Sequence, residues 1–460
     1  MKTQCNGPSY LFPAEISRNV IARFDGGAIT SDAGGLLLSQ VERRTGMVRQ
    51  LVACFTDHRD PERIEHTVKE LVSQRVYALA LGYEDLHDHD DLRHDPLLAV
   101  LVGKREPTGT DRQRRRDQGQ ALAGQSTLNR LELTPVRANT NSRYQKIVLD
   151  TRRAALVFTD IFVQAHRPPP APIILDLDAT DDPVHGDQLG RFFHGYYKNY
   201  CYLPLSIFCG EHLLWAQLRP RDIDASAGSV QALAQIIARL RPAWPTVQIL
   251  VRGDAGFCRE SLLAWCAQNP VDYRFGLARN ERLVREIADA MGQAQTTYQQ
   301  TGQAARVFKD FAYQTLTSWS RCRRVVGKAE YLNKGENPRL VGTSLPKAQI
   351  DARTLYEQTY CARGDLENRI KEQQLYLFAG RTSAATMRAN QLRLWFSSLA
   401  YTLLAALRRL GLPGTELAAA QCSTIRLKLL KIGAQIKVTV RKVWISLAES
   451  YPYQRIFQQV

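Results

Sequence analysis

Acids are concentrated in the stretch IILDLDATDDPVHG (173–186), where Asp176, Asp178, Asp181 and Asp182 follow a run of isoleucine and leucine. The run reads as a short buried strand entered from the proline turn 168–172. Side chains alternate along a strand, so Asp176 and Asp178 leave it on the same side. A carboxylate on a central strand is costly unless it is ion-paired or holds a cation. The plainer use of such acids is to close the strand and cap the next element, because aspartate at strand ends is ordinary turn chemistry. Two further acids weigh against that. Asp254 stands just past the apolar run 247–251, in RGDAGF, and Glu367 lies on a long helical pattern over 354–378. On that pattern Tyr360, Arg363, Glu367, Lys371 and Gln374 recur at steps of three or four and share one face. Such a stripe is either an exposed lattice of ion pairs or the wall of a cleft. Leu366, Ile370 and Leu377 make the adjoining face the buried one, which favours the cleft.

These acids need a scaffold, and the pattern from residue 173 onward supplies one. Apolar runs at 173–177, 201–210, 212–219, 247–251 and 273–278 read as strands, with helices at 226–242 and 260–267. The predicted order is β-β-β-α-β-α-β, an α/β domain with acids at the ends of its first and fourth strands. Crevices at strand ends are where open α/β sheets hold ligands. Residues 297–346 interrupt this grammar with three predicted strands, 305–315, 322–331 and 338–344, a β-rich insertion with basic edges. The segment FFHGYYKNY (192–200) is aromatic and basic, suited to stacking on bases or to a half-buried strand.

Upstream, the spacing predicts a helix over 36–45 capped by Ser31-Asp32, a second over 64–82 stopped by Gly82, and a third over 140–165. EDLHDHDDLRHDP (84–96) offers His87, His89 and His94 with Asp90 or Asp91 as metal ligands. Its spacing fits no standard signature, so a solvated loop and helix start is the better reading. TGTDRQRRRD (108–117) is a basic tether or a phosphate-contacting arm, and GQSTLNRLE (124–132) reads as a short helix capped by Ser126 or Thr127. The tail from 381 is basic and mostly helical in pattern, with IRLKLLKIGAQIKVTVRKVW (425–444) alternating apolar and basic as for an element laid along phosphates.

The 460 residues carry 44% hydrophobic and 23% charged side chains, those of a folded chain of more than one domain, but a formal net charge of +16. That surplus points to a polyanion, nucleic acid first. Nine scattered cysteines with no CxxC pair argue for reduced thiols and against a disulfide framework or zinc site. No apolar signal core opens the sequence, and the run 394–407 is too short to span a bilayer. A cytoplasmic protein with no membrane partner is expected.

The three distant acids, with YxxRxxxE on the late helix, resemble the DDE transposases of bacterial insertion sequences, and the insertion-sequence 1380 family within the insertion-sequence 4 superfamily most closely. The resemblance runs through DHRDP, LGYEDL, LRHDP, DLDATDDPVHG, FFHGYY, RGDAGFCR, YCARGDLENRIKEQQ and RANQLRLW. It implies a ribonuclease H-like catalytic domain over 170–296 and 347–380, interrupted by the insertion 297–346. A mainly helical DNA-binding region over 1–165 would precede it, and a basic, mostly helical region would follow over 381–460. Asp178, Asp254 and Glu367 match the catalytic and metal-binding acids, with Asp176 a rival to Asp178. Tyr360 and Arg363 match the signature residues that face DNA. The superfamily places a lysine seven residues past the glutamate; here that position is Gln374, and Lys371, one turn after Glu367, is expected to reach the same DNA phosphate instead. Trp319 is either a packed aromatic or a stacking partner for a flipped base. The implied chemistry is cleavage and strand transfer assisted by two Mg²⁺ ions, Mn²⁺ substituting, on terminal inverted repeats and target DNA, in a homodimer near the bacterial nucleoid. A structure-selective nuclease and an inactive DNA-binding derivative are the competing expectations.

Overall fold

The computed structural model describes residues 10–12, 20–184, 186, 188, 192–194, 199–220 and 223–460. The chain divides into two compact units: Met1–Asp150 with Tyr376–Phe378 and Leu399–Val460, and Thr151–Leu375 with Ala379–Ser398. Of the stretch expected to stack on bases, 192–200, residues 195–198 lie outside the described set.

The second unit is built on a mixed sheet. Its main strands are β1 (Ile173–Ala179), β2 (Leu205–Cys209), β3 (His212–Gln217), β4 (Ile249–Gly253), β5 (Asp272–Leu277), β6 (Ala305–Tyr313), β7 (Arg323–Leu332) and β8 (Arg339–Thr343). They lie in the order β3-β2-β1-β4-β5-β8-β7-β6. β1 pairs antiparallel with β2 and parallel with β4, and β4 runs parallel to β5. Parallel strands need a crossover between them, and helices Ser229–Ala243 and Glu260–Gln268 provide it. Ile173, Leu175 and Leu177 enter one hydrophobic core with Leu233, Ile236, Leu262 and Leu263 from these helices and Phe162 from Thr151–Ala165. The alternate residues of β1, Asp176 and Asp178, are thereby turned away from that core.

The predicted β-rich insertion does form three strands, and they continue the central sheet. β8 pairs antiparallel with β5, β7 with β8, and β6 with β7. Without β8 the apolar strand β5 would end the sheet with open hydrogen-bonding groups, the exposed edge that folded chains avoid. The late helix is less regular than its pattern predicts. Ala352–Thr354 is α-helical, Leu355–Tyr360 a π turn, Cys361–Arg363 a 3₁₀ turn, and Gly364–Lys371 α-helical again. Changes of pitch of this kind re-aim side chains that a uniform 3.6-residue period would stack.

In the first unit, helix Val68–Leu81 starts with a reciprocal cap between Thr67 and Glu70 and ends at Gly82, whose φ of +100° only glycine adopts readily. Helix Leu36–Thr45 has its predicted bounds, but a 3₁₀ turn, Ala33–Gly35, leads into it and Asp32 makes no capping bond. The predicted helix 140–165 is instead strand Ile147–Leu149, paired with Phe55–Asp57, followed by helix Thr151–Ala165. The alternating tail segment is a β-hairpin, Ala434–Val438 with Val443–Leu447, and its first strand also pairs with Ala28–Thr30. Ala434 and Ile436 are buried while Gln435 and Lys437 are exposed, so the alternation is that of a half-buried strand. Among the described residues no helix is long and apolar enough to cross a membrane.

Candidate active site

Both carboxylates of β1 have arginine partners, and the partners differ. Arg252, directly opposite Asp176 in the β1–β4 register, grips it with both arms: Nε donates to Oδ1 at 2.5 Å and Nη2 to Oδ2 at 2.7 Å. Both residues are 6% exposed. The remaining Arg252 arm donates to the Thr359 carbonyl. Asp176 is therefore used to tie β1, β4 and the late helix together. Burial still holds its carboxyl above the ordinary range, opposed chiefly by Arg252.

Asp178, two residues along the strand, lies within electrostatic reach of the other acids. Arg363 Nη2 donates to its Oδ1 at 2.5 Å, and the Thr180 hydroxyl donates to its Oδ2. The same guanidinium reaches Glu367 Oε1 at 3.6 Å. Burial is the main cause that raises the Asp178 carboxyl above its usual range; Thr180 and Arg363 oppose it, while the like charges of Asp254 and Glu367 add to it. Acids from the turn after β4 and from the late helix are thus both near enough to act on the β1 acid Asp178. Asp254 and Glu367 are exposed, and Asp254 Oδ1 accepts the Gly256 amide at 2.8 Å in its turn. Among the described residues no three acid, histidine or cysteine side chains converge tightly enough to hold an ion as they stand. Arg363 lies between two of the carboxylates, Asp178 and Glu367, and its positive charge offsets theirs. The donor set is all carboxylate oxygen, which suits Mg²⁺ or Mn²⁺ rather than a thiophilic metal.

The family model described as transposase DDE domain, group 1, matches residues 12–460. The chain belongs to the DDE transposases. The family carries nucleic-acid-cleaving transposase activity, and the α/β architecture with a central mixed sheet agrees with it. No curated protein matches the chain.

Beside Asp254 the transposase has a cavity of about 510 Å³, whose walls include Arg279, Arg339, Tyr356 and Tyr360. Tyr360 stands close against β5: a Cβ added at Gly276 would lie 2.5 Å from Tyr360 Oη and 3.0 Å from the Ala255 amide. Gly276 is thus the absence of a side chain that lets the helix approach the Asp254 turn. Burial raises the Tyr360 hydroxyl above its ordinary range, opposed by Arg363 and reinforced by Asp254.

Other sequence-predicted residues fall elsewhere. Lys371 is exposed, and Gln374 donates to the Asp181 carbonyl at 3.3 Å, holding the helix to the loop after β1. Trp319 is 5% exposed within the hydrophobic core, edge-on to Tyr313 at 5.8 Å with the Arg323 guanidinium over its ring. It packs, and presents no free face to a base. His89 is fully buried between Gln74 and Arg75, not solvated, while His87 meets Gln125 and His94 the Gly119 carbonyl. The three histidines do not share a ligand position. Sequence reasoning missed Arg252, Thr180 and Gly276. Arg252 alone left a trace, an arginine in an otherwise apolar strand, the mark of a buried partner.

Proposed function

We propose that this transposase cuts and rejoins DNA at the terminal inverted repeats of its own insertion sequence, by cut-and-paste, with Asp178, Asp254 and Glu367 as its catalytic and metal-binding acids. The observation that carries this is the Arg363 guanidinium held between Asp178 and Glu367, with Asp254 and Glu367 both adding negative charge at Asp178. The ribonuclease H-like assignment is supported by three antiparallel strands followed by two parallel to the first, with acids on β1 and after β4. Membership of the insertion-sequence 1380 family rests on the motifs from DHRDP to RANQLRLW.

Two divalent ions at these carboxylates, Mg²⁺ with Mn²⁺ able to replace it, would activate the attacking hydroxyl and stabilise the leaving 3′-oxygen. The protein's part is positioning and charge. Asp178, Asp254 and Glu367 would hold these ions through their carboxylate oxygens. With ions held there, Arg363 would no longer be needed at Asp178, and a backbone phosphate would be its natural partner. Arg279 and Arg339, in the cavity beside Asp254, would hold flanking phosphates, and Tyr360 limits how deeply DNA enters. Two ends are processed together in a homodimer at the bacterial nucleoid.

A labelled terminal-repeat duplex tests the proposal. Parent protein should nick at the repeat boundary in Mg²⁺, and Asp254→Asn should bind the same duplex without cutting it. Cleavage by Asp254→Asn, or cutting of a four-way junction with no preference for the repeat, overturns the assignment.

A further inference from the structure

The first unit contains a second concentration of chemistry, far along the sequence from the acids. A cleft of about 650 Å³ is lined by seven arginines against three carboxylates, Glu65, Asp90 and Asp117. Two kinds of arginine line it. Arg59, Arg93 and Arg112 are braced: Arg59 Nη2 donates to Asp57 at 2.7 Å and to the His66 carbonyl at 2.9 Å, Arg93 Nε donates to the Asp90 carbonyl at 3.0 Å, and Arg112 Nη2 meets Glu65 at 2.8 Å. Arg63, Arg114, Arg116 and Arg130 are exposed. The Arg114 side chain has no ion pair or hydrogen bond among the described residues.

The wall behind them has donors in surplus. Arg112 Nη1 points its proton at His66 Nε2, at 2.7 Å. A guanidinium only donates, so Nε2 accepts and the proton of a neutral imidazole sits on Nδ1. Burial, with Lys104, Arg112 and Arg59 nearby, pushes the His66 ring down to about 2, so it is neutral at any physiological pH. His66 is 6% exposed, and its Nδ1 and the Arg112 Nε are buried without an acceptor among the described residues. The cleft also receives the start of helix Gln125–Glu132, with Ser126 and Thr127 in its lining. Helix starts and hydroxyls favour anions. Leu122 is the one apolar side chain among the described lining residues other than glycine and the ring of His66, so the cleft has no pocket for an apolar side chain of a peptide.

We propose that this cleft is a DNA-contact site separate from the carboxylates, seating the sugar–phosphate backbone of duplex DNA on Arg63, Arg114, Arg116 and Arg130. It rests on the transposase reading for the identity of the polyanion. The braced arginines and His66 form its floor, and the exposed ones close on successive phosphates. Phosphate contacts position a duplex without reading its sequence. Binding here needs no metal and does not distinguish a terminal repeat from an unrelated duplex.

The test is equilibrium binding of full-length protein to both duplexes in EDTA, across a salt series. Each arginine that meets a phosphate contributes about 0.9 to the slope of log affinity against log salt. Replacing Arg63, Arg114 and Arg116 together with alanine should flatten that slope by up to ~3, equally for both duplexes. Arg115→Ala, exposed but outside the cleft lining, should leave it unchanged. An unchanged slope in the triple variant, or a loss confined to the terminal repeat, overturns the proposal. If the triple variant melts early, Arg114→Ala decides alone, with an expected change of about 0.9. Because no cutting is measured, a failure here leaves the Asp254 test untouched, and the reverse.

Discussion

A single buried carboxylate reports on how this chain treats unpaired charge. Asp182, just past β1, is 1% exposed, and neither oxygen has a full hydrogen-bond partner among the described residues. Burial pushes it up to about 7; the Thr382 hydroxyl opposes this and Asp181 adds to it. The sign is set by which state holds the proton. Between about pH 4 and 7 the folded chain keeps a proton that the unfolded chain has released, so stability falls as pH rises through that window and is flat above it. The full effect is roughly 4 kcal/mol. Asp182→Asn keeps a neutral, hydrogen-bonding side chain of the same size and should remove this dependence. Its gain over the parent in urea midpoint should be small at pH 4 and largest at pH 8. An equal difference at both pH values would mean that Asp182 is ionised and satisfied in the folded chain. Asp178 is a different case, because its partner is a full charge: Asp178→Asn should lose at least a thousandfold in cleavage while still accepting a bond from Arg363.

At the scale of elements, two contacts join β1, β4, β5 and the late helix, and each makes a prediction. The Arg252–Asp176 pair is buried and bidentate, so truncating one side leaves an uncompensated charge. Arg252→Ala should cost about 3–5 kcal/mol by chemical denaturation, and Arg252→Lys should recover only part of it. Gly276→Ala forces Tyr360 away from β5 and should cost about 1–3 kcal/mol. Adding Tyr360→Phe removes the nearer clash, so the double variant should be more stable than Gly276→Ala alone. The sequence made the elements legible where one pattern held. The apolar runs 173–177, 247–251 and 273–278 announced β1, β4 and β5 because a short continuous apolar run bounded by turn residues is the mark of a buried strand. The segment 140–165 failed because three residues of strand, Ile147–Leu149, depend on a partner some ninety residues earlier, Phe55–Asp57. The acids themselves were legible as types at strand ends. Which arginine each would meet was not, since the Asp178–Arg363 pair joins positions 185 residues apart through a helix whose π and 3₁₀ turns no heptad-like pattern reveals.

For the whole molecule, a formal charge of +16 gives every DNA contact a favourable background, and the three acids oppose it locally. If these acids form the proposed site, a phosphate brought there without metal would meet Asp178, Asp254 and Glu367, only partly offset by Arg363. At ~8 Å in water each uncompensated charge costs about 0.5 kcal/mol, roughly twofold in affinity. Neutralising all three, Asp178→Asn with Asp254→Asn and Glu367→Gln, should therefore tighten binding of a terminal-repeat duplex in EDTA by up to about tenfold. Divalent ions bound by the parent supply the same relief, so the gap should close in Mg²⁺, where the parent's affinity rises and the variant's does not. The salt slope should stay the same for both proteins, because it counts cationic contacts and none has been removed. A gap that persists in Mg²⁺ would show that the carboxylates repel DNA without holding metal. A variant that binds no tighter in EDTA would place the phosphates away from these acids altogether.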